Sequence, residues 1–186
     1  MARADVAVVG AGLAGLTAAI SLAEAGARVQ VLAAGHAATH WSAGGIDAGA
    51  LDGTATSSEA VDRLAARAGH PYALVGSELA QALTWLKTTL AADGLTLVGA
   101  LDDPLRAIPT AIGATRRAAI VPDGVAAALP AWQPDETLFV CGPARFKDFW
   151  PEAIAAGLRR ESSWRGNSRP ARVEAVSVEL LSLIHI

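Results

Sequence analysis

The hexapeptide Gly10-Ala11-Gly12-Leu13-Ala14-Gly15 constrains this chain more than any other stretch, because of what flanks it. Before it, Asp5 to Val9 (DVAVV) reads as a strand buried on both faces; after it, Leu13, Leu16 and Ile20 recur at helical spacing. Gly26 stands where a helix end must turn left-handed, and Arg28 to Leu32 (RVQVL) reads as the next strand. The result is a βαβ unit over residues 4–35, which predicts an α/β fold. In that setting Gly10 permits the tight turn, Gly12 lets main chain approach a pyrophosphate, and Gly15 lets the helix pack close to the strand. A pyrophosphate there would meet the free N–H groups of the helix start, at Leu13, Ala14 and Gly15, and the positive end of its dipole.

One usual part of a dinucleotide site is missing. The second strand runs out as Leu32-Ala33-Ala34-Gly35, without the carboxylate that commonly hydrogen-bonds a ribose hydroxyl. A nicotinamide-binding protein is disfavoured on that ground. Composition narrows the field further. The 15 Lys and Arg against 18 Asp and Glu give a net charge of -3, which provides no field for nucleic acid. Of the 186 residues 43 are Ala, so the 52% hydrophobic share overstates the material for a core, though enough remains for one or at most two domains. The single cysteine, Cys141, excludes an internal disulfide and suits a cytoplasmic setting. The uncharged run from Val6 to Ala23 is not a secretory signal, since Asp5 precedes it and three glycines interrupt it.

The second informative stretch is His40-Trp41-Ser42-Ala43-Gly44-Gly45-Ile46-Asp47. A serine and paired glycines let a loop lie flat against a planar ring, with N–H groups and a hydroxyl offered to its heteroatoms; the same composition also suits an ordinary surface connection. Five stretches together are more specific: VAVVGAGLAGL at Val6 to Leu16, HWSAGGIDAGALDG at His40 to Gly53, HPY at His70 to Tyr72, IPTAIGATRRA at Ile108 to Ala118, and FVCGPARFKDFWPEAIAAGL at Phe139 to Leu158. With these the chain resembles the N-terminal part of the B-subunit family of anaerobic glycerol-3-phosphate dehydrogenase, over about residues 3 to 160.

The resemblance implies a Rossmann-like FAD-binding domain of a two-dinucleotide-binding-domain flavoprotein, incomplete at the C-terminus. It implies assembly with two further components, a membrane-associated iron-sulfur subunit, and the catalytic A subunit. Such a complex, cytoplasmic and peripheral to the inner face of the membrane, would oxidise sn-glycerol 3-phosphate to dihydroxyacetone phosphate and pass electrons to quinone. Gly10, Gly12 and Gly15 would hold the flavin's pyrophosphate, and Ser42, Gly44 and Gly45, in a flavin-contacting loop over residues 36–53, would lie beside the flavin. FMN has no pyrophosphate, so such a turn favours FAD over FMN. Two rivals stay open: a flavin enzyme of the succinate dehydrogenase and fumarate reductase type, and a non-catalytic scaffold that its flavin stabilises.

Elsewhere the pattern is mainly structural. Ser58 is expected to cap a helix carrying Val61, Leu64 and Ala68, and Ser77 another with Leu79, Leu83, Leu86 and Leu90 on one face. Leu95 to Val98 and Ala118 to Val121 suggest short extended segments. Thr137 to Cys141 reads as a buried strand, with Cys141 an inert buried thiol, and Phe146, Phe149, Trp150, Ile154 and Leu158 follow at helical spacing. The turn Cys141-Gly142-Pro143-Ala144 lacks the three glycines of a second nucleotide site. The four histidines are scattered and no metal motif occurs, so no metal is expected. His40 could shuttle a proton or be held by a local hydrogen bond, and Arg116 could clamp a phosphate or be a solvated arginine. The ending after Val178, with LSLIHI, matches nothing in the family; residues 179–186 are expected to be a non-native tail on residues 1–178, and the fragment to be inactive.

Overall fold

The structure of the protein, a computed structural model, describes residues 3–49, 53–127, 135–161 and 170–179. Most of the expected tail therefore lies outside the described residues. The chain divides into two compact units, Met1–Gly44 and Gly45–Ile186.

In the first unit β1 (Val6–Val9) leads into α1 (Leu13–Glu24), which returns to β2 (Val29–Leu32). The two strands are parallel, with Val6 opposite Val29 and Val9 opposite Leu32, as a βαβ crossover requires. Their entry is fixed by Asp5 and Arg28: the guanidinium donates from Nη2 to Oδ1 at 2.7 Å and from Nε to Oδ2 at 3.0 Å, and the Arg28 N–H also donates to Oδ2. These donors hold the Asp5 carboxyl below its ordinary value. α1 ends as Gly26 turns to φ +89°, the left-handed cap expected of it. The expectation of a strand buried on both faces is corrected: Val6 and Val8 are half-buried, while Val9 is 83% exposed. Leu13, Leu16 and Ile20 are also exposed, and Ala19 is the buried residue of α1. Two short strands and one helix provide only a single covering layer in this unit. A turn of 3-10 helix, Ala38–Trp41, follows β2.

The second unit begins with α2 (Ser57–Ala65), α3 (Tyr72–Val75), a 3-10 turn at Gly76–Glu78 and α4 (Leu79–Ala92). Both expected caps move. Thr56, not Ser58, caps α2, because Glu59 stands three residues on and its N–H reaches the Thr56 hydroxyl at 3.2 Å. Ser58 instead donates its hydroxyl to the Asp102 carboxylate. Ser77 sits inside the 3-10 turn, so α4 starts two residues later without a side-chain cap.

Next come β3 (Leu97–Val98), β4 (Arg106–Pro109), β5 (Thr115–Ala118), β6 (Val121–Pro122) and α5 (Asp123–Ala127). β4 and β5 form an antiparallel hairpin, and β3 pairs antiparallel with β6. The last elements are β7 (Thr137–Pro143), α6 (Pro151–Arg160) and β8 (Arg172–Val178), with β7 and β8 parallel over seven residue pairs. This is a second βαβ unit, and it gives the chain its α/β character beyond the first forty residues. Phe146 and Trp150 precede α6 and are exposed, so the expected helical stripe begins only at Pro151, where proline suits the first helical position.

Cys141 is corrected from a buried thiol to an exposed one. Alternation explains it. Val140 and Gly142 lie on the buried face of β7, while Phe139 and Cys141 point the other way.

Two apolar cores hold this unit. One gathers Ala107, Val140, Ile154, Ala155, Leu158 and Val173; the other gathers Leu83, Leu97, Leu105, Ala119 and Ile120. Between the β4–β5 turn and α6 the main chains nearly touch at Gly113 and Gly157, where a Cβ on Gly157 would overlap the Gly113 carbonyl.

Candidate functional site

The glycine turn has the local geometry its sequence predicts. Gly10 takes φ +103°, where an L side chain is strained, and its N–H donates to the Leu32 carbonyl at 2.8 Å, tying the turn to the end of β2. A Cβ on Gly15 would overlap the Gly10 carbonyl oxygen, so close approach of α1 to the end of β1 demands glycine there. Gly12 differs: a Cβ would meet only the Ala37 methyl, at 3.6 Å, an ordinary contact. Nothing in the packing of the described residues requires glycine at position 12, and the main chain there is open to close approach. Gly12 is the N-cap of α1, makes no side-chain cap, and no acidic residue stands in the first turn. The N–H groups at the helix start are thus open to an anion, and Leu13 and Ala14 are exposed beside them. These residues fit the pyrophosphate of FAD.

Downstream in the same unit, the Ser42 hydroxyl accepts the Gly44 N–H at 3.0 Å, and Gly44 takes φ +74°. Both residues are exposed. His40 rests its ring on His36, with centroids 4.4 Å apart and planes within 17°, and meets Trp41 edge-on. Stacking holds the ring, which makes no side-chain hydrogen bond among the described residues.

In the second unit the segment Gly45 to Gly49 is braced from four directions. Ile46 exchanges main-chain hydrogen bonds with the Ala119–Ile120 stretch, its N–H donating to Ile120 at 2.8 Å. The buried Ser57 hydroxyl donates to the Asp47 carbonyl at 2.8 Å. Gly49 lies against Tyr72 and Leu64, where a Cβ would come within 2.9 Å of the phenol ring. Tyr72 is placed by His70, whose Nδ1 accepts the Tyr72 N–H at 3.2 Å.

The fourth brace is Arg116. Its Nη2 stands 3.3 Å from Asp47 Oδ1, and a Cβ on Gly45 would overlap the same nitrogen. Three stretches widely separated in sequence, at Gly45 to Gly49, His70 to Tyr72 and Ile108 to Ala118, therefore meet here. In this arrangement the Arg116 guanidinium faces the Asp47 carboxylate rather than solvent alone. Asp47 was missed by sequence reasoning. Its signal is a carboxylate directly after the glycine pair, legible only once Arg116 is known to face it, and Oδ1 is shielded from solvent without a hydrogen bond among the described residues.

Comparison with known proteins gives the family. Residues 5–182 match the family of the FAD binding domain. The chain is 34% identical over 166 residues to the B subunit of anaerobic glycerol-3-phosphate dehydrogenase from Pectobacterium carotovorum, covering 86% of this chain and 39% of that protein. It is 29% identical to the corresponding B subunit of Mannheimia succiniciproducens, over 84% of this chain and 38% of the relative. With the B subunit of Actinobacillus succinogenes the identity is 33%, over 83% of this chain and 37% of the relative. The chain thus spans about two fifths of the length of these curated relatives. No solved structure matches it. No helix among the described residues is long and apolar enough to cross a membrane. With the family model covering nearly the whole chain, this chain belongs to the FAD binding domain family.

Proposed function

We propose that the protein is the flavoprotein subunit of a respiratory sn-glycerol-3-phosphate dehydrogenase, with residues 4–35 as a Rossmann-like half-site for FAD and residues 36–53 as its flavin-facing loop. The observation that carries this reading is Gly12, free of any packing demand for glycine at the bare start of α1. Bound FAD would supply the two-electron redox chemistry, while the chain places it. Gly10, Gly12 and Gly15 hold the main chain against the pyrophosphate, with the N–H groups of Leu13, Ala14 and Gly15 available as donors. Ser42, Gly44 and Gly45 are assigned to the flavin side. The likeness to the B-subunit relatives supports assembly with the catalytic A subunit, together with a membrane-associated iron-sulfur subunit, on the inner face of the membrane, with quinone as acceptor.

Anaerobic mixing of the assembled complex with glycerol 3-phosphate tests the assignment. Loss of the oxidised flavin absorbance, with dihydroxyacetone phosphate formed in equal amount, is the expected result. Bleaching by succinate but not by glycerol 3-phosphate would overturn it. So would turnover that survives loss of flavin from this subunit, which would make it a scaffold.

A further inference from the structure

At the carboxyl ends of β7 and β8 lies a second crevice, of about 460 Å³. Parallel strands present their ligand sites at this end, where the following loop turns into a helix start. The strands finish with Pro143 opposite Val178, and the Ala144 N–H donates to the Val178 carbonyl at 2.8 Å. The chain then runs to α6 through Arg145, Phe146, Lys147, Phe149 and Trp150, all of which line the crevice.

Several independent features of this loop point to a ligand. Arg145 has φ +63°, a conformation costly for any residue with a Cβ, and strain of this kind persists where the surrounding structure or a function holds it. Arg145 and Lys147 line the crevice and make no ion pair or side-chain hydrogen bond among the described residues. Phe146 and Trp150 expose large aromatic surface, Trp150 to 67%. Phe149 is pinned against β7, since a Cβ on Gly142 would come within 2.6 Å of its ring. α6 starts without a side-chain cap, on Pro151, which has no N–H of its own. Its one first-turn carboxylate, Glu152, also lines the crevice and accepts the hydroxyl of Ser177, another lining residue, at 3.1 Å.

We propose that this crevice binds a phosphomonoester carried on a planar ring. Two cations at the rim, against the single carboxylate of Glu152, suit a phosphate oxyanion, which takes charge-assisted donors. Exposed Trp and Phe faces suit a flat apolar body and give nothing to a bare ion. The volume falls within the range of roughly 300–1,000 Å³ usual for small-molecule sites. None of the lining residues belongs to the glycine turn.

Isothermal titration of the protein with phenyl phosphate, in saturating FAD so that the glycine turn is filled, tests the proposal. One equivalent is expected to bind, with inorganic phosphate weaker by about tenfold or more for lack of the ring. Arg145→Gly with Lys147→Ala should weaken both probes by at least about tenfold. Because glycine accepts φ +63°, the Arg145→Gly chain should melt no lower than the parent, which keeps loss of binding separate from loss of fold. Trp150→Ala should weaken phenyl phosphate and leave inorganic phosphate unchanged. Absence of saturable binding up to millimolar phenyl phosphate, equal affinity for the two probes, or unchanged affinity in the double variant would each overturn it.

Discussion

Arg116 Nη2 stands 3.3 Å from Asp47 Oδ1, in the space that a side chain at Gly45 would need. The ion pair and the glycine are therefore one device. Exposed pairs of this kind contribute only about 0.2–1 kcal/mol, so the pair orients the loop more than it stabilises the fold. Gly45→Ala should push the guanidinium aside and lose the pair. Its effect on melting should then be no larger in an Arg116→Ala background than alone, and a double-mutant cycle measures this. Full additivity would show that the two sites are independent.

Gly157 offers a sharper contrast of magnitudes. In an exposed helix interior, glycine to alanine gains about 1 kcal/mol of propensity. In α6 the new Cβ would overlap the Gly113 carbonyl, main chain that cannot step aside as a flexible side chain can. Overpacking costs about 1–3 kcal/mol, so Gly157→Ala should lower stability despite the propensity gain. Urea denaturation reads the sign directly, and a stabilised variant would mean that the turn at Gly113 yields freely.

The pairing of β1 with β2 should carry a pH signature at Asp5. The Arg28 donors depress the Asp5 carboxyl below its ordinary 3.8 in the folded state. A carboxyl lowered on folding contributes stability that is full above its unfolded value and is lost as pH falls through the lower folded value. Asp5→Asn should therefore cost stability at neutral pH, and the difference from the parent should close in the acid range below 3.8. A gap that persists unchanged well below that value would assign the effect to something other than the charge.

What the sequence made legible follows the range of the interactions involved. The turn at Gly10 to Gly15 is local: strand, glycines and helix are adjacent, so spacing alone predicts the positive φ of Gly10 and the close approach at Gly15. β8 was missed because its partner β7 is set by a crossover, and RVEAVSV mixes polar and apolar residues too evenly to stand out. Cys141 was misplaced for a related reason. Apolar neighbours in sequence suggest burial, whereas in a strand they point to the opposite face. Asp47 escaped because its meaning depends on Arg116, which lies far away in sequence and near in space.

The Gly12 main chain is the proposed seat of the FAD pyrophosphate, and the pair Gly12→Val and Gly15→Ala isolates that role. Gly15→Ala should damage the fold itself, since its Cβ would overlap the Gly10 carbonyl. Gly12 has φ -80° and ψ 176°, extended backbone that valine adopts readily, and room for a Cβ beside Ala37. Gly12→Val should therefore cost about 1 kcal/mol, as expected of valine at an N-cap, and less than Gly15→Ala. The decisive measurement is a flavin fluorescence titration of Gly12→Val and the unaltered protein, each expressed from the native gene. FAD affinity is expected to fall on the order of a hundredfold, equivalent to about 2.7 kcal/mol, at a temperature where both proteins are folded. FAD affinity equal to that of the unaltered protein would contradict the assignment.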